Sequence, residues 1–494
     1  MATSSAANSA RNDQLPMRDG QPYDQEFRTR MAIRAVKEAR VKQPRGIPRP
    51  PGPSGRALAF NTITGRRTMA AAMAEIPRDY PRIAYMRLRS EHAYVLTDPE
   101  VIMDLLQTRG RDTIKGRGLQ VAKSVLGDGL LTSEGEVHLR QRRMIQPAFH
   151  KQRIEHYAQE MVRCSVEHEE LWTDGMQVDI ATDMSALTLA IVGRALFGSD
   201  LTGDAREIGD ALTQVLGGFQ RQLLPGAAIL ARLPLASNRH LAENAERLDA
   251  MVQRLITEHR EAPDNGDLLS MMIAAQEDGH GMDDAQLRDE AMTLVLAGHE
   301  TTAMTLTWTW YLLDRNPEAA RQLHNELDSV LNGRNPEFAD IAALPFTYAV
   351  IAESMRLYPP AWILGRRAMS EMRVDNWTLP RGSILLASQY AMHRDPRFWD
   401  SASSFKPQRW INAEGHFDES APGQPRGAWF PFGFGNRRCI GDQFAWTEGV
   451  LALATLAQRW EAHLVPGTVV ELMPAVTLRP KGGIPMTLHR RNNA

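Results

Sequence analysis

The chain has 494 residues, of which 43% are hydrophobic and 23% charged, as is usual for a soluble globular protein. The 57 basic and 59 acidic side chains leave a formal net charge of −2, so bulk charge predicts no nucleic-acid partner. Two cysteines exclude a disulfide framework and a four-cysteine iron–sulfur domain, and they suit a reducing compartment.

The first segment, residues 1–47, is polar and rich in arginine, and we predict an extension there. Phe27, Met31 and Ala35 recur at helical spacing, so a short amphipathic helix could touch a membrane surface or dock on the protein. No charged start followed by an apolar run is present, which predicts a cytoplasmic protein without a signal peptide. A proline-rich stretch then excludes helix and strand, and we expect a single domain over residues 48–494.

Two β regions flank a long stretch of helical periodicity. Ile83–Leu88 and 93–96 predict a hairpin, and Met372–Val374 and 383–386 predict a second, short β part. The sequence therefore predicts a mainly α fold with a small β region. The glycine-rich segment 113–133 is typical of a lid loop.

Residues 291–313 form the most apolar helical stretch, with Glu300 as their single charge. The length would suffice to cross a membrane, but six threonines and a central acid favour a buried central helix of a large domain. Gly298 removes side-chain bulk there, and the adjacent Glu300 and Thr301 could relay protons and hold water or dioxygen. On this segment alone, a helix kink with satisfied polar groups is the favoured explanation of the pattern.

The second cysteine, Cys439, stands in a loop of glycines, arginines and aromatic residues. A thiolate requires nearby positive charge or N–H donors, and glycines allow the backbone to approach a flat group. The loop therefore indicates a sulfur presented to a metal, the alternative being an inert buried cysteine. Cys164, in a helical stretch, is expected to be a small core residue. The neighbours of Cys439 that carry the pattern are Phe432, Gly435, Arg437 and Gly441.

This loop resembles the haem-binding loop of the cytochromes P450, Phe-x-x-Gly-x-Arg-x-Cys-x-Gly, at all five defined positions. The resemblance extends from about residue 50 to the end and implies the P450 fold, with Cys439 as the axial thiolate of haem b. It also implies that Phe432, Gly435 and Arg437 contact the cofactor.

The segment 297–302 resembles the oxygen-activation motif of the same family. By that resemblance Thr301 would steady iron-bound oxygen and Glu300 would help to deliver protons. Ala297 would line the distal face of the haem.

The resemblance further implies cationic partners for the haem propionates. His138 and Arg142 are four residues apart on one helical face, although many family members have tryptophan at the position of His138. Arg366 matches the family's propionate-binding arginine, with Arg367 as its rival, and Arg437 is a further candidate.

Glu353 and Arg356 lie three residues apart in an apolar helix and resemble the family's Glu-x-x-Arg motif. Arg409 would be the third member of this ion network, which we expect to be a scaffold. The alternative is an ordinary surface helix pair of little energetic value.

The apolar segment 361–364 is expected to line the pocket, so a bulky apolar or amphipathic substrate is favoured over a small polar one. A leucine-rich segment, 217–235, is expected to roof it. No dinucleotide-binding fingerprint is apparent, so we expect a separate electron donor, a ferredoxin or flavodoxin with its reductase. Arg143 and Arg438 are either solvated or part of a docking surface for that donor.

The sequence thus predicts a haem-thiolate monooxygenase that hydroxylates or epoxidises a substrate such as a natural product, a terpene or a fatty-acid-like molecule. One alternative is a P450 that couples or rearranges its substrate without inserting oxygen. Another is a haem sensor or an electron carrier without turnover. The acid–alcohol pair, Glu300 and Thr301, argues against a pure isomerase. A sensor or carrier would need neither this pair nor the lid-like segments.

Overall fold

The structure, a computed structural model, describes residues 46–88, 91–199, 211, 236–261, 266–277 and 280–491. The amphipathic pattern at Phe27 and the predicted roof at 217–235 lie outside these residues. Within the described part the chain is mainly helical with a small β portion, which confirms the predicted fold class.

The α-helices of the described residues are numbered in chain order. They are α1 (Gly55–Ile63), α2 (Met69–Asp79), α3 (Pro99–Met103), α4 (Arg117–Leu126), α5 (Gly135–Ile145), α6 (Lys151–Glu169), α7 (Ile180–Phe197), α8 (Ala236–Glu261), α9 (Leu268–Ala274), α10 (Asp284–Arg315), α11 (Pro317–Leu331), α12 (Pro345–Leu357), α13 (Gln389–Met392) and α14 (Asp442–Ala457). Short 3₁₀ turns include Pro407–Trp410 and Gly435–Arg437.

The strands of the same residues form one larger sheet and several small ones. They are β1 (Ile83–Leu88), β2 (Glu91–Leu96), β3 (Thr113–Lys115), β4 (Gln177–Asp179), β5 (Gln276–Glu277), β6 (His280–Gly281), β7 (Leu364–Ala368), β8 (Met372–Val374), β9 (Trp377–Leu379), β10 (Ile384–Ala387), β11 (Trp460–Leu464), β12 (Leu472–Pro474), β13 (Leu478–Pro480) and β14 (Pro485–Arg490).

The five-stranded sheet has the order β1-β2-β10-β7-β3 and contains the predicted N-terminal hairpin. β10 runs parallel to β2, and the other neighbours are antiparallel. At one edge, β3 pairs with β7 so that Lys115 stands opposite Arg366. Gly116 permits this approach, because a Cβ there would lie 2.9 Å from the carbonyl carbon of Gly365. The sheet edge therefore brings two cationic side chains together.

The prediction of a lid loop over 113–133 is wrong for much of that segment, which contains β3 and α4. Two of its glycines flank the helix. Gly116 is the N-cap of α4, and Gly127 is the C-cap with φ of +65°. Glycine is common at such C-terminal positions because it adopts positive φ without a Cβ penalty. Between the two glycines the residues follow a helical pattern.

The long apolar stretch forms α10, which packs against α7, α8, α12 and α14. Asp283 caps its N-terminus by accepting a hydrogen bond from the Gln286 N–H at 2.8 Å. The threonine hydroxyls further along donate to the carbonyl four residues earlier, as Thr305 does to Thr301 O at 3.0 Å. These bonds satisfy the donating hydroxyl groups of those threonines inside an otherwise apolar helix.

One described helix, α7, is long and apolar enough to span a membrane by composition. Within the protein, 67% of its apolar window is buried, and it packs along α10, where Thr188 Oγ1 donates to the His299 carbonyl at 3.1 Å. Together α7 and α10 form the centre of the helical core.

Candidate active site

The loop before α14 presents Cys439. The 3₁₀ turn Gly435–Arg437 precedes it, and the Cys439 N–H donates to the Phe432 carbonyl at 2.9 Å. Gly435 has φ of +65°, and a Cβ there would lie 3.1 Å from Gln107 Cα and from Leu106 O. The turn therefore requires glycine, and α14 begins immediately beyond it.

The Cys439 side chain keeps accessible surface although many protein atoms surround it. A side chain with both properties faces a concave space inside the protein. Burial raises the pKa of the thiol to about 11, while the Gly441 N–H that bonds the sulfur and the charges of Arg142 and Arg438 oppose that rise. Cys164 differs because it is 3% exposed within the core, and burial raises its pKa to about 12.

Midway along α10, one face of the helix opens. Between residues 290 and 310 every residue is buried except Ala297, Gly298 and Thr301, which are partly accessible. Thr301 lies four residues after Ala297 and three after Gly298, so the three residues share one helical face. The Thr301 hydroxyl donates to the Ala297 carbonyl at 2.7 Å. The opening therefore coincides with the predicted oxygen-activation segment.

The side chain of Glu300 points in a different direction from that of its neighbour Thr301. Its Oε1 accepts hydrogen bonds from Thr477 Oγ1 and Arg479 Nε, both at 2.6 Å, and its Oε2 lies 2.5 Å from Arg479 Nη2. The carboxylate is thus bound to the β12–β13 hairpin in this conformation. The predicted acid–alcohol pair is adjacent in sequence, but its two side chains have different partners.

A cluster of cationic groups surrounds the loop that leads into α5. Lys115 Nζ donates to the carbonyls of Leu130 and Ser133 at 2.8 and 2.7 Å. Arg437 donates to the Ser133 carbonyl at 3.1 Å and pairs with Glu134. The predicted candidates therefore converge here with a lysine that the sequence analysis did not single out.

Burial and mutual repulsion disfavour the charged forms of the side chains in this cluster. Burial, together with the positive charges of Arg437 and Arg366, lowers the pKa of Lys115 to about 7. Burial likewise lowers the pKa of His138 to about 3, with Lys115, Arg437, Arg142 and Arg366 adding to the shift. The described residues place one carboxylate, that of Glu134, in direct contact with the cluster. Further anionic groups would stabilise its cationic forms.

Arg366 and Arg367 are distinguished by strand alternation, which turns them to opposite faces of β7. Arg367 pairs with Glu91 at 3.1 Å and donates to the Gly382 carbonyl at 3.0 Å. Arg366 instead faces Arg437 and Glu134, and burial lowers its pKa to about 10. Arg366 rather than its rival therefore belongs to the cationic cluster.

Arg142 completes the contacts around the cysteine loop. Its Nη1 donates to the carbonyl of Arg438 at 2.8 Å, and its positive charge acts on the thiol of the next residue, Cys439. This contact ties α5 to the cysteine loop. His138, one turn earlier, is 2% exposed, and its Nδ1 atom has no hydrogen-bond partner among the described residues.

The predicted ion network forms a closed unit. Glu353 accepts two hydrogen bonds from Arg356, both at 2.8 Å, and one from Arg409 Nε at 3.1 Å. It also accepts from Trp410 Nε1 at 2.9 Å and from the Lys406 N–H at 2.9 Å. The side chains of Glu353 and Arg356 have no accessible surface. The network fixes α12 to the turn Pro407–Trp410.

The apolar segment 361–364 lies beside the cysteine loop. Leu364 Cδ1 would lie 3.6 Å from a Cβ placed on Gly433. Trp362 donates from Nε1 to the Ala475 carbonyl at 2.9 Å, so its polar edge is satisfied. Ile363 and Leu364 remain partly accessible and offer an apolar surface.

Comparison with known proteins adds independent evidence. The cytochrome P450 family model matches residues 50–485. Cyclooctatin synthase of Streptomyces melanosporofaciens is 40% identical over 86% of this chain and 92% of its own length. Cyclooctat-9-en-7-ol 5-monooxygenase of the same organism is 36% identical over 85% and 90%, and pentalenene oxygenase of Streptomyces avermitilis is 35% identical over 80% and 87%. The chain belongs to the cytochrome P450 family. It is a monooxygenase of that family, which uses a haem iron.

The residues of this P450 fit a haem. Cys439 offers an accessible sulfur next to an N–H donor and cationic groups, which suits a thiolate ligand. The Nδ1 atom of His138 and the surplus of cationic groups around Lys115 and Arg366 suit two propionates. The opening at Ala297 in α10 lacks side-chain bulk.

Two residues of this P450 were missed from the sequence for the same reason. Lys115 reaches the cluster through strand pairing, and Arg479 reaches Glu300 across 179 positions. Neither lies in a recognisable local pattern. The close approach of Gly116 to Gly365, next to Lys115, also depends on strand pairing and is visible only in the structure.

Proposed function

We propose that this P450 holds haem b through Cys439 and oxygenates a cyclic terpenoid, at a C–H bond or an alkene, in the cytoplasm. We place the catalytic unit at residues 48–494, preceded by an extension over 1–47. When bound, a haem with a thiolate ligand supplies the activation of dioxygen. The remaining work, which is positioning, proton supply and the exclusion of water, belongs to side chains of this chain.

The substrate class rests on the relatives and on the lining of the site. Pentalenene oxygenase and cyclooctat-9-en-7-ol 5-monooxygenase are named for terpenoid substrates, and this chain covers most of their length. Ile363 and Leu364 present partly accessible apolar side chains beside the cysteine loop. Such a surface favours a hydrocarbon skeleton over a small polar molecule.

We assign the cationic cluster to the propionates. Arg142, His138, Arg366 and Arg437 would donate to them, together with Lys115. Two carboxylates placed among these groups would reverse the unfavourable effect of burial on the cationic forms of Lys115 and Arg366. Phe432 and Gly435 would support the plane of the cofactor, with Phe432 held by the ring of Trp446, whose centroid lies 5.6 Å away.

On the distal side we assign two roles. Thr301 could accept a hydrogen bond from a water molecule while its hydroxyl still donates to the Ala297 carbonyl, whereas donation to oxygen would require that it release this carbonyl. Glu300 would accept a proton from solvent and pass it towards the accessible face of α10. Ala297 and Gly298 leave room for the cofactor and for oxygen on that face.

Electrons would come from a separate donor, a ferredoxin or a flavodoxin with its reductase. Arg143 is exposed on α5, and Arg438 beside Cys439 is 46% exposed while bonding Asp442 at 2.8 Å. Both arginines lie near the thiolate side of the proposed haem. An acidic donor would be attracted to this surface.

The accessible Cys439 sulfur beside an apolar surface carries this proposal, and substrate binding tests it. Titration of the purified holoprotein with a cyclic terpene hydrocarbon should displace iron-bound water and shift the Soret band. Turnover with ferredoxin, its reductase and NADPH should then yield a product heavier by one oxygen atom. A fatty acid of similar carbon number is the matched control. A Soret shift with the fatty acid and none with cyclic terpenes would contradict the substrate class.

A further inference from the structure

The β12–β13 hairpin presents two polar side chains to Glu300. Met473 pairs with Arg479 and Pro474 with Leu478 across the hairpin. Thr477 and Arg479 are two residues apart, so strand geometry turns both to the same side. Leu478 between them is fully buried in an apolar cluster. The alternation thus separates a packing side from a side that binds the carboxylate.

The hairpin binds both oxygens of the Glu300 carboxylate. Arg479 forms a fork, with Nε at 2.6 Å from Oε1 and Nη2 at 2.5 Å from Oε2, and Thr477 adds its hydroxyl to Oε1 at 2.6 Å. Bidentate pairing of this kind fixes orientation as well as charge. Since Glu300 is 2% exposed, its orientation is set by these two residues.

The hairpin is itself anchored at three points. Trp308 Nε1, in α10, donates to the Leu478 carbonyl at 2.8 Å, and the Leu478 N–H donates to the Pro360 carbonyl at 3.0 Å. Trp362 holds the Ala475 carbonyl on the opposite side of the turn at 2.9 Å. A polar contact supported in this way is preorganised and does not resemble a mobile surface ion pair.

The hairpin side of this contact is the more accessible one. The side chain of Arg479 is 13% exposed, whereas that of Glu300 is 3% exposed. Thr301, the residue that follows Glu300 in α10, is partly accessible on the face that it shares with Ala297 and Gly298. Glu300 therefore connects a partly accessible partner on the hairpin with a neighbour at the opening of the helix.

We propose that Arg479 and Thr477 are positioning residues for Glu300 and that protons reach it past this hairpin. The inference rests on the proton-delivery role given to Glu300 above. In each cycle one carboxylate oxygen of Glu300 leaves its partner, takes a proton from water on the Arg479 side and gives it up on the Thr301 side. The carboxylate then returns to the pair, so Glu300 ends each cycle unchanged in charge.

The experiment compares single and double substitutions in the holoprotein with its ferredoxin system. Oxygen consumption, product formed per NADPH, peroxide and the solvent deuterium isotope effect are measured for Glu300→Gln, Arg479→Gln and Thr477→Val. Lys481→Gln is the matched control, because Lys481 is an exposed cation next to β13 whose partner is Glu471. The carbon monoxide spectrum of each reduced variant establishes that the haem site is intact.

We expect Glu300→Gln to lower coupled turnover by about 10- to 100-fold, the range of a lost proton-transfer group. Arg479→Gln should lower it by about tenfold and raise the solvent isotope effect, since the carboxylate loses its fixed orientation. Arg479→Lys should recover part of the loss, Thr477→Val should cost about two- to fivefold, and Lys481→Gln should behave as the wild type. The double variant Glu300→Gln/Arg479→Gln should be no slower than Glu300→Gln alone.

The outcomes distinguish the positioning role of the hairpin from the proton-delivery role of Glu300. If Glu300→Gln is impaired while Arg479→Gln and Thr477→Val match the wild type, the hairpin does not position the acid. Multiplying losses in the double variant would also overturn the inference, because Arg479 would then act on the substrate or on the hairpin packing. If Glu300→Gln itself is unimpaired, the proton-delivery role is wrong. Should Arg479→Gln fail to fold, Arg479→Lys and Thr477→Val decide the question.

Discussion

Two buried Glu–Arg pairs, Glu353–Arg356 and Glu300–Arg479, use the same chemistry in different surroundings. The first has no accessible side-chain surface and is enclosed by further hydrogen bonds to Arg409 and to backbone groups. The second has a partly exposed arginine and adjoins the accessible face of α10. An enclosed pair can hold elements together, whereas a pair with access to solvent can open and close.

The enclosed pair predicts the largest effect on stability. Arg356 also donates to the carbonyls of His393, Ala402 and Ser404 at 2.7 to 2.9 Å. Arg356→Ala should therefore cost about 3–5 kcal/mol of unfolding free energy, because a buried carboxylate is left without its partner. Urea unfolding measures this cost. The control Arg334→Ala, which breaks an exposed pair with Asp340, should change stability little. Equal midpoints for the two variants would contradict the scaffold role.

The open face of α10 predicts an effect on catalysis without one on folding. Thr301→Val removes the hydroxyl at the opening, and we expect product formed per NADPH to fall by about tenfold while peroxide rises. The change in product and peroxide yields is measured during turnover with the ferredoxin system. Thr305→Val is the matched control, since Thr305 is a buried threonine one turn later that donates to the Thr301 carbonyl. If both variants stay coupled, Thr301 has no role in oxygen handling.

Two neighbouring arginines on β7, Arg366 and Arg367, allow cofactor binding to be distinguished from stabilisation of the fold. Arg366→Gln should weaken haem retention by roughly 1.5–3 kcal/mol, the value of a hydrogen bond to a charged group. Arg367→Gln should leave haem retention unchanged and lower protein stability, because Glu91 loses its buried partner. Haem transfer to apomyoglobin measures the first quantity and urea unfolding the second. The reverse pattern would exchange the roles of the two residues.

The smallest predicted effect concerns the turn before Cys439. Gly435→Ala should cost about 1–2 kcal/mol, because a side chain is disfavoured at positive φ. A Cβ there would also press on Leu106 and Gln107, so the carbon monoxide spectrum should broaden. Gly415→Ala has similar φ, +81°, and no atom within 4 Å of the added Cβ. It should lose similar stability and leave the spectrum as in the wild type. Identical spectra for both variants would mean that the turn does not shape the site.

The features that the sequence located are those defined by short local patterns of residues. Cys439 and its loop, the pair Glu353–Arg356 and the central helix are each defined within a few turns of chain. Helical spacing also indicated that His138 and Arg142 share a face. Prediction of the mainly α fold succeeded for the same reason, because periodicity is a local property.

The sequence could not predict contacts made across the chain. Strand pairing gives Arg366 and Arg367 different surroundings, and it places Lys115 in the cationic cluster beside Arg366. The partner of Glu300, Arg479, belongs to a hairpin near the C-terminus. The glycines of 113–133 also misled the prediction, because glycine ends a helix as readily as it loosens a loop. These features depend on tertiary contacts that spacing does not encode.

The central claim is that Cys439 is the thiolate ligand of a haem, and the two cysteines of the chain allow a direct test. The carbon monoxide complex of the reduced wild type, and of Cys164→Ser, should show the Soret shift typical of thiolate ligation. Cys439→Ser should lose that shift. A histidine-type spectrum in the wild type, or a thiolate-type spectrum retained in Cys439→Ser, would contradict the assignment.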